Sequence, residues 1–239
     1  MKKIIIMAAV LILLTGCGSK EKFPEATLET NKETTASSGA TENVVETKEI
    51  SEIQTEAAET QGTFDAEQAI TIEVIEGGVQ VIFQQLPQTA SDMQAMVDLY
   101  SQADARIICA FFHAALVRYP ESAEDCFAMM DILRGPQPLS DTDKAFIKER
   151  LSDKLYLPRA YFEGAVPQNE YQPEDPWTII IYDDPVTPPE GYAYTMVKTS
   201  GADSSRRIVM RIKDDLNYLW EYNAALLSIR LPASEDPWV

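Results

Sequence analysis

Three observations predict an α+β fold with a mostly antiparallel sheet. A β-hairpin signal stands near residue 77, helix-period apolar patterns fill about 91–151, and strand-period alternation takes over after residue 177. Runs of helices followed by runs of strands segregate the helices to one face of an antiparallel sheet. The predicted order is an N-terminal hairpin, about three to four helices, then the sheet.

Ile70 to Gln84 (ITIEVIEGGVQVIFQ) alternates β-branched residues about Gly77-Gly78, a hairpin turn signal. A helix starts near Ser91-Asp92 and carries Met93, Met96, Val97 and Tyr100 on one face. Asp104 to Tyr119 is apolar nearly all round, which predicts a buried central helix packed on the sheet, ended by Pro120. The next helix runs through ESAEDCFAMMDILR, with Gly135 as its C-terminal cap. Ser140 followed three residues later by Asp143 predicts a shortened capping box, opening a helix with Phe146, Ile147 and Leu151. Trp177 to Tyr182, Tyr192 to Thr199, Arg206 to Lys213 and Tyr218 to Ile229 read as strands between Pro, Gly and Asp clusters.

The first 62 residues obey different physics. Lys2 and Lys3 precede eleven apolar residues, Ile4 to Leu14, a signal-peptide length that falls well short of the ~20 needed to span a bilayer. The following Leu14-Thr15-Gly16-Cys17 resembles the lipobox of bacterial lipoproteins. That resemblance implies diacylglyceryl transfer to the Cys17 thiol and cleavage before it, so residues 1–16 are the signal peptide. Two acyl chains anchor stably where one does not. Residues 17–62 are then the lipidated cysteine and a disordered acidic tether. After Cys17 the tether holds ten Glu, four Lys and one aromatic, Phe23. Such a sequence cannot offset its ordering entropy, and as a coil it reaches ~40 Å. Residues 63–239 form a single α+β domain.

Charge narrows the partners. The chain carries −18, and removal of the two signal lysines leaves −20; the folded domain alone carries −14. An anionic membrane surface repels such a chain, so the lipid must hold it. Nucleic acid is excluded as a partner, because phosphate binding needs clustered Lys and Arg.

Catalytic signatures are sparse. The single histidine, His113, lies in the most apolar helix and reads as a core residue, and no GxSxG elbow is present. Cys109 and Cys126 sit at unequal distances from the turn at Tyr119-Pro120, which favours two buried thiols over a disulfide. One His and two non-tandem Cys make zinc a poor fit, and Asp183-Asp184 and Asp214-Asp215 read as turn chemistry, so no metal or cofactor is expected. Glu163, Glu170 and Glu174 near Tyr161, Phe162 and Trp177 admit glycoside hydrolysis in principle, but a chain this acidic brings carboxylates together by chance.

Binding candidates are clearer. Aromatics are dense after Tyr156, a pattern that suits stacking on sugars or anchoring a partner and that half-buried strands and core account for more often. In the strand Arg206 to Lys213, Ile208, Met210 and Ile212 face one way, and Arg207, Val209, Arg211 and Lys213 face the other. That second face is basic in an acidic domain. It is matched either to a carboxylated ligand or to the domain's own surplus acids. The candidate binding residues are Arg207, Arg211, Lys213, Tyr161, Glu163 and Trp177.

Four segments carry a wider resemblance: GPQPLS from Gly135, YFEGAVPQNEY from Tyr161, SGADSSR from Ser200, and IRLPASEDPW from Ile229. Together they resemble an uncharacterised domain family of Firmicutes surface proteins with the pattern GPxPLS, YFxGAxPxNxY, SGADSPR and IRxPxxxDPW. Ser205 stands where that pattern has Pro. The resemblance covers roughly residues 90–239 and implies a shared fold and a monoderm bacterial setting, with no catalytic residue to transfer. The expected protein is a monomeric cell-surface lipoprotein on the outer face of the cytoplasmic membrane. Its domain binds an envelope protein or glycan, and the alternative is an envelope hydrolase.

Overall fold

The computed structural model describes residues 64–100 and 102–238, so the expected signal peptide, tether and Cys17 lie outside the described residues. The fold is α+β. Its helices are α1 (Ala66–Ala69), α2 (Ala90–Tyr100), α3 (Ala105–Val117), α4 (Ala123–Arg134) and α5 (Asp141–Leu151). Its strands are β1 (Ile70–Ile75), β2 (Gly78–Phe83), β3 (Trp177–Asp183), β4 (Tyr192–Val197), β5 (Arg206–Lys213) and β6 (Leu216–Glu221). They form one six-stranded sheet in sequence order, every neighbouring pair antiparallel. The N-terminal hairpin thus joins the later strands through the β2–β3 pairing.

Both tight hairpins follow turn chemistry, with one adjustment of register. Glu76 and Gly77 make the first turn, with Gly77 at φ 72. Gly78, expected inside the turn, instead begins β2 opposite Tyr182, where the Ile181 carbonyl leaves no room for a Cβ. Asp214 and Asp215 make the β5–β6 turn, both left-handed at φ 53 and 61. Short Asp side chains tolerate that conformation.

The α3 helix lies at the centre. Asp104 caps it by accepting from the Arg106 N–H at 2.9 Å, and every residue from Ile107 to Leu116 is buried. It packs on β2, β3, β4 and β6, and α4 and α2 pack beside it. Ile179, Ile181, Val197, Ile208, Met210 and Leu219 cover the inner sheet face beneath it. Burying side chains of this size contributes roughly 2 kcal/mol each. Alternation assigns Ile212 to this inner face too, but it overshoots the helices and is 37% exposed.

Local caps fix the helix ends. Ser122, not Pro120, opens α4 by accepting from the Asp125 N–H at 3.2 Å; Pro120 occupies the preceding turn. Gly135 caps α4 at φ 58. Ser140 and Asp143 form the full reciprocal capping box of α5, at 3.2 and 2.9 Å. The last strand is shorter than its sequence pattern. It ends at Glu221, and Asn223–Leu226 coils into a 3-10 turn that buries Ala225 and Leu226. The apolar run through Leu226 therefore reports burial, which a buried turn satisfies as well as a strand does.

Cys109 and Cys126 are free and fully buried. Burial pushes the Cys109 thiol up to about 12 and raises that of Cys126 as well, so neither is a ready nucleophile. His113 is buried between Phe112 and Tyr161, and its Nδ1–H donates to the Cys109 carbonyl at 2.8 Å. That bond fixes the tautomer and leaves Nε2 without a hydrogen-bond partner in the core.

Candidate binding face of the sheet

The helices cover the inner face of the sheet, and alternation puts a second set of side chains on the outer face. The β3–β6 part of that face carries Tyr182 from β3, Tyr192, Tyr194 and Met196 from β4, and Arg207, Val209, Arg211 and Lys213 from β5. Tyr218 and Trp220 of β6 complete it. The register sets Arg207 opposite Met196, Val209 opposite Tyr194, and Arg211 between Tyr192 and Tyr218.

Cations lie over rings throughout this face. Lys198 Nζ is 4.3 Å from the Tyr182 centroid, and the Arg207 guanidinium is 4.7 Å from that of Tyr194. Arg211 stands 4.5 Å from Tyr192 and 6.0 Å from Trp220. Such pairs contribute about 0.5–1 kcal/mol at exposed sites, and they hold long side chains in place. A register shift between Val209 and Met210 leaves Trp220 as the unpaired extra residue of β6. Bulges of this kind re-aim side chains at sheet edges.

The three basic candidates of β5 differ in how they are paired. Arg207 Nε donates to Asp184 at 2.6 Å and covers the carboxylate, holding it below the usual carboxylate range. Lys213 lies 4.0 Å from Asp214, with both side chains exposed, a geometry of little energetic weight. Arg211 has aromatic neighbours and no carboxylate within ion-pair distance among the described residues. The strand's basic face therefore divides: Arg207 serves the domain's own acid, and Arg211 is left free to meet an anion.

At the β6 edge this face deepens into a cleft of about 380 Å³, bordered by Arg134, Pro136, Arg211, Lys213, Tyr218 and Trp220. Arg134 comes from the end of α4. It is 9% exposed, and its Nε donates to the Gln137 carbonyl at 3.0 Å. The sequence carries no local sign that Arg134 belongs with β5. Gly135 brings it there by turning the chain where a Cβ would strike the Tyr218 ring.

The other three candidates stand apart from this face and from one another. Tyr161 is buried against His113, and its hydroxyl donates to the Ala225 carbonyl at 2.8 Å. Glu163 is exposed, and its backbone ties the β3 strand through a 2.7 Å bond to the Thr178 carbonyl. Trp177 packs on Phe162 and lines an 860 Å³ cleft with Phe64, Phe83 and Asp92. Glu170 lines a different cleft, of 290 Å³, and accepts from the Ser234 N–H and hydroxyl at 3.0 and 2.6 Å. Asp183 is paired with Arg106 at 3.2 Å. Among the described residues, no group of three or more His, Cys, Asp or Glu is placed to hold a metal ion. No described helix is long and apolar enough to cross a membrane.

Neither the curated proteins nor the solved structures contain a significant match to this chain. Residues 85–233, well over half of it, match the model of one protein family and span α2 to the segment after β6. By that match the chain belongs to the family described as Domain of unknown function (DUF6935).

Proposed function

We propose that this protein is a bacterial lipoprotein, tethered by Cys17 to the outer face of the cytoplasmic membrane, whose folded domain is a non-catalytic binding module for an envelope component. The charged start, the apolar core of signal-peptide length and the Leu14-Thr15-Gly16-Cys17 end support the anchor. The acidic segment up to residue 62 supports a spacer, since a chain at −20 needs a covalent lipid to stay near an anionic surface.

One observation carries the binding reading. The outer sheet face sets half-buried aromatics beside exposed cations, with Arg211 unpaired, inside a domain whose net charge is −14. Aromatic and arginine clusters of this kind anchor partners. The hydrolase reading has less support. Glu170 and Trp177 line separate clefts, and Ser234 engages the Glu170 carboxylate.

Two measurements test the proposal. Cys17→Ala should move the protein from the membrane fraction to the soluble fraction; retention in the membrane would defeat the anchor. The detergent-solubilised full chain should enrich a defined envelope protein or glycan, and Arg207→Glu with Arg211→Glu should abolish that capture. Because Arg207→Glu also disturbs Asp184, Arg211→Glu with Lys213→Glu serves as the paired variant. Equal capture by both double variants would sink the assignment of the face.

A further inference from the structure

We infer that the cleft at the β6 edge is a binding site for an acidic sugar, a pyranose bearing a carboxylate or a phosphate. The inference rests on the binding-module reading and names its ligand class.

Charge is the first argument. Arg134, Arg211 and Lys213 border the cleft, and none of its lining residues is acidic. The domain around it has a surplus of fourteen acids, so a cleft lined by three cations and no acid runs against its composition. Acids do stand outside the lining, among them Glu221, which the register sets opposite Val209 on the same face. Asp214 stands 4.0 Å from Lys213 on the exposed turn. Asp143 is partly desolvated, but its hydrogen bonds with Ser140 and the field of Arg134 keep its carboxyl below the usual range. Among the described residues, no carboxylate lies within ion-pair distance of Arg211.

Preorganisation is the second argument. Arg211 is exposed, 4.5 Å from the Tyr192 ring and 6.0 Å from the Trp220 ring, contacts that restrain its guanidinium without using its N–H donors. A planar fork held this way suits two-point recognition of a carboxylate or phosphate. Arg134 is held by the Gln137 and Trp220 carbonyls at 3.0 and 3.4 Å, and its guanidinium is 5.8 Å from the Tyr222 ring. Its guanidinium is therefore held in place before any ligand arrives.

Shape and surface supply the third. Tyr218, Trp220 and Pro136 give the cleft apolar walls that match the C–H face of a sugar ring, and Gln137 offers an amide for hydroxyls. A volume of about 380 Å³ is at the small end of ligand sites. That volume holds one sugar ring, free or as a single unit of a chain.

The test is a titration of the full chain in neutral detergent, followed by tryptophan fluorescence. The probes are trigalacturonate, glucose 6-phosphate and neutral maltotriose. A saturable response to either acidic probe, absent with maltotriose, is expected, and it should weaken as salt rises. Competition between galacturonate and glucose 6-phosphate, each a single ring with one acidic group, identifies the carboxylate or the phosphate as the recognised group. Arg211→Ala should weaken binding by roughly tenfold or more, Arg211→Lys should restore only part of it, and Lys213→Ala should weaken it less. Unchanged far-UV circular dichroism and an unchanged urea midpoint exclude misfolding, and the exposed Lys213→Ala variant gives a readout that does not depend on ring packing. An equal response to maltotriose, equal competition by acetate or inorganic phosphate alone, or indifference to Arg211→Ala would overturn the inference. If no acidic probe binds while envelope capture is still lost with Arg211→Glu and Lys213→Glu, the acidic-sugar site fails and the binding module stands. If capture also fails, both fall.

Discussion

Between pH 7 and pH 4 the wild-type fold should lose about 3 kcal/mol of stability that a His113→Leu variant keeps, since each unit of pKa difference is worth 1.36 kcal/mol. The imidazole is fully buried, and burial lowers its pKa from 6.5 to about 4 despite the Nδ1–H bond to the Cys109 carbonyl. In the unfolded chain it takes up a proton near pH 6.5, whereas in the folded chain it does so only near pH 4. The unfolded state therefore binds more protons throughout that interval, and stability falls as pH falls. Protonation of the fold finds no acceptor for the second N–H, because Nε2 faces the core without a partner. Carboxylates held below their usual range, such as Asp104 and Asp184, weaken the fold at still lower pH and do so equally in both proteins. Urea unfolding of wild type and variant at pH 7, 5.5 and 4 measures the difference. Parallel pH dependences would show that His113 is not buried neutral.

His113 also shows which features were legible in the sequence. A histidine amid IICAFFHAALV, flanked by Phe112 and Ala114, could be assigned to the core from its neighbours alone. The Ser140–Asp143 box and the N-terminal hairpin were equally local, and each formed within a residue of its predicted place. The basic side of β5 followed from period two. Partners that come from elsewhere in the chain were not legible. Nothing near Arg207 announces Asp184, which arrives from the end of β3, and nothing near Arg211 announces Arg134, which arrives from α4. Tyr161 was a binding candidate beside Glu163 as well as a possible core aromatic, and it is drawn inward by the Ala225 carbonyl of a turn that the sequence presented as strand. Periodicity reports which side chains are buried within an element, and the site is made of elements meeting.

Gly135→Ala should be among the most damaging single changes outside the core, lowering stability by roughly 3 kcal/mol through backbone strain and a forced ring displacement together. Gly135 ends α4 at φ 58, where a side chain is strained, and its backbone N–H caps the helix through the Asp131 and Ile132 carbonyls. A Cβ there would also stand inside the Tyr218 ring, the wall that faces Arg211 across the cleft. Gly191→Ala separates the two contributions. Gly191 has φ 79 and open space within 4 Å of the point a Cβ would occupy, so it carries the backbone strain without the collision. Its loss should be about 1 kcal/mol. The excess for Gly135→Ala, read from urea midpoints, contains both the displacement of Tyr218 and the strain of a ψ of −117, so it sets an upper bound on how firmly the ring is seated, and the same variant should lose the fluorescence response to acidic sugar. Equal losses for the two glycines would mean that Tyr218 moves aside freely, and that the cleft wall is not held by the turn that delivers Arg134.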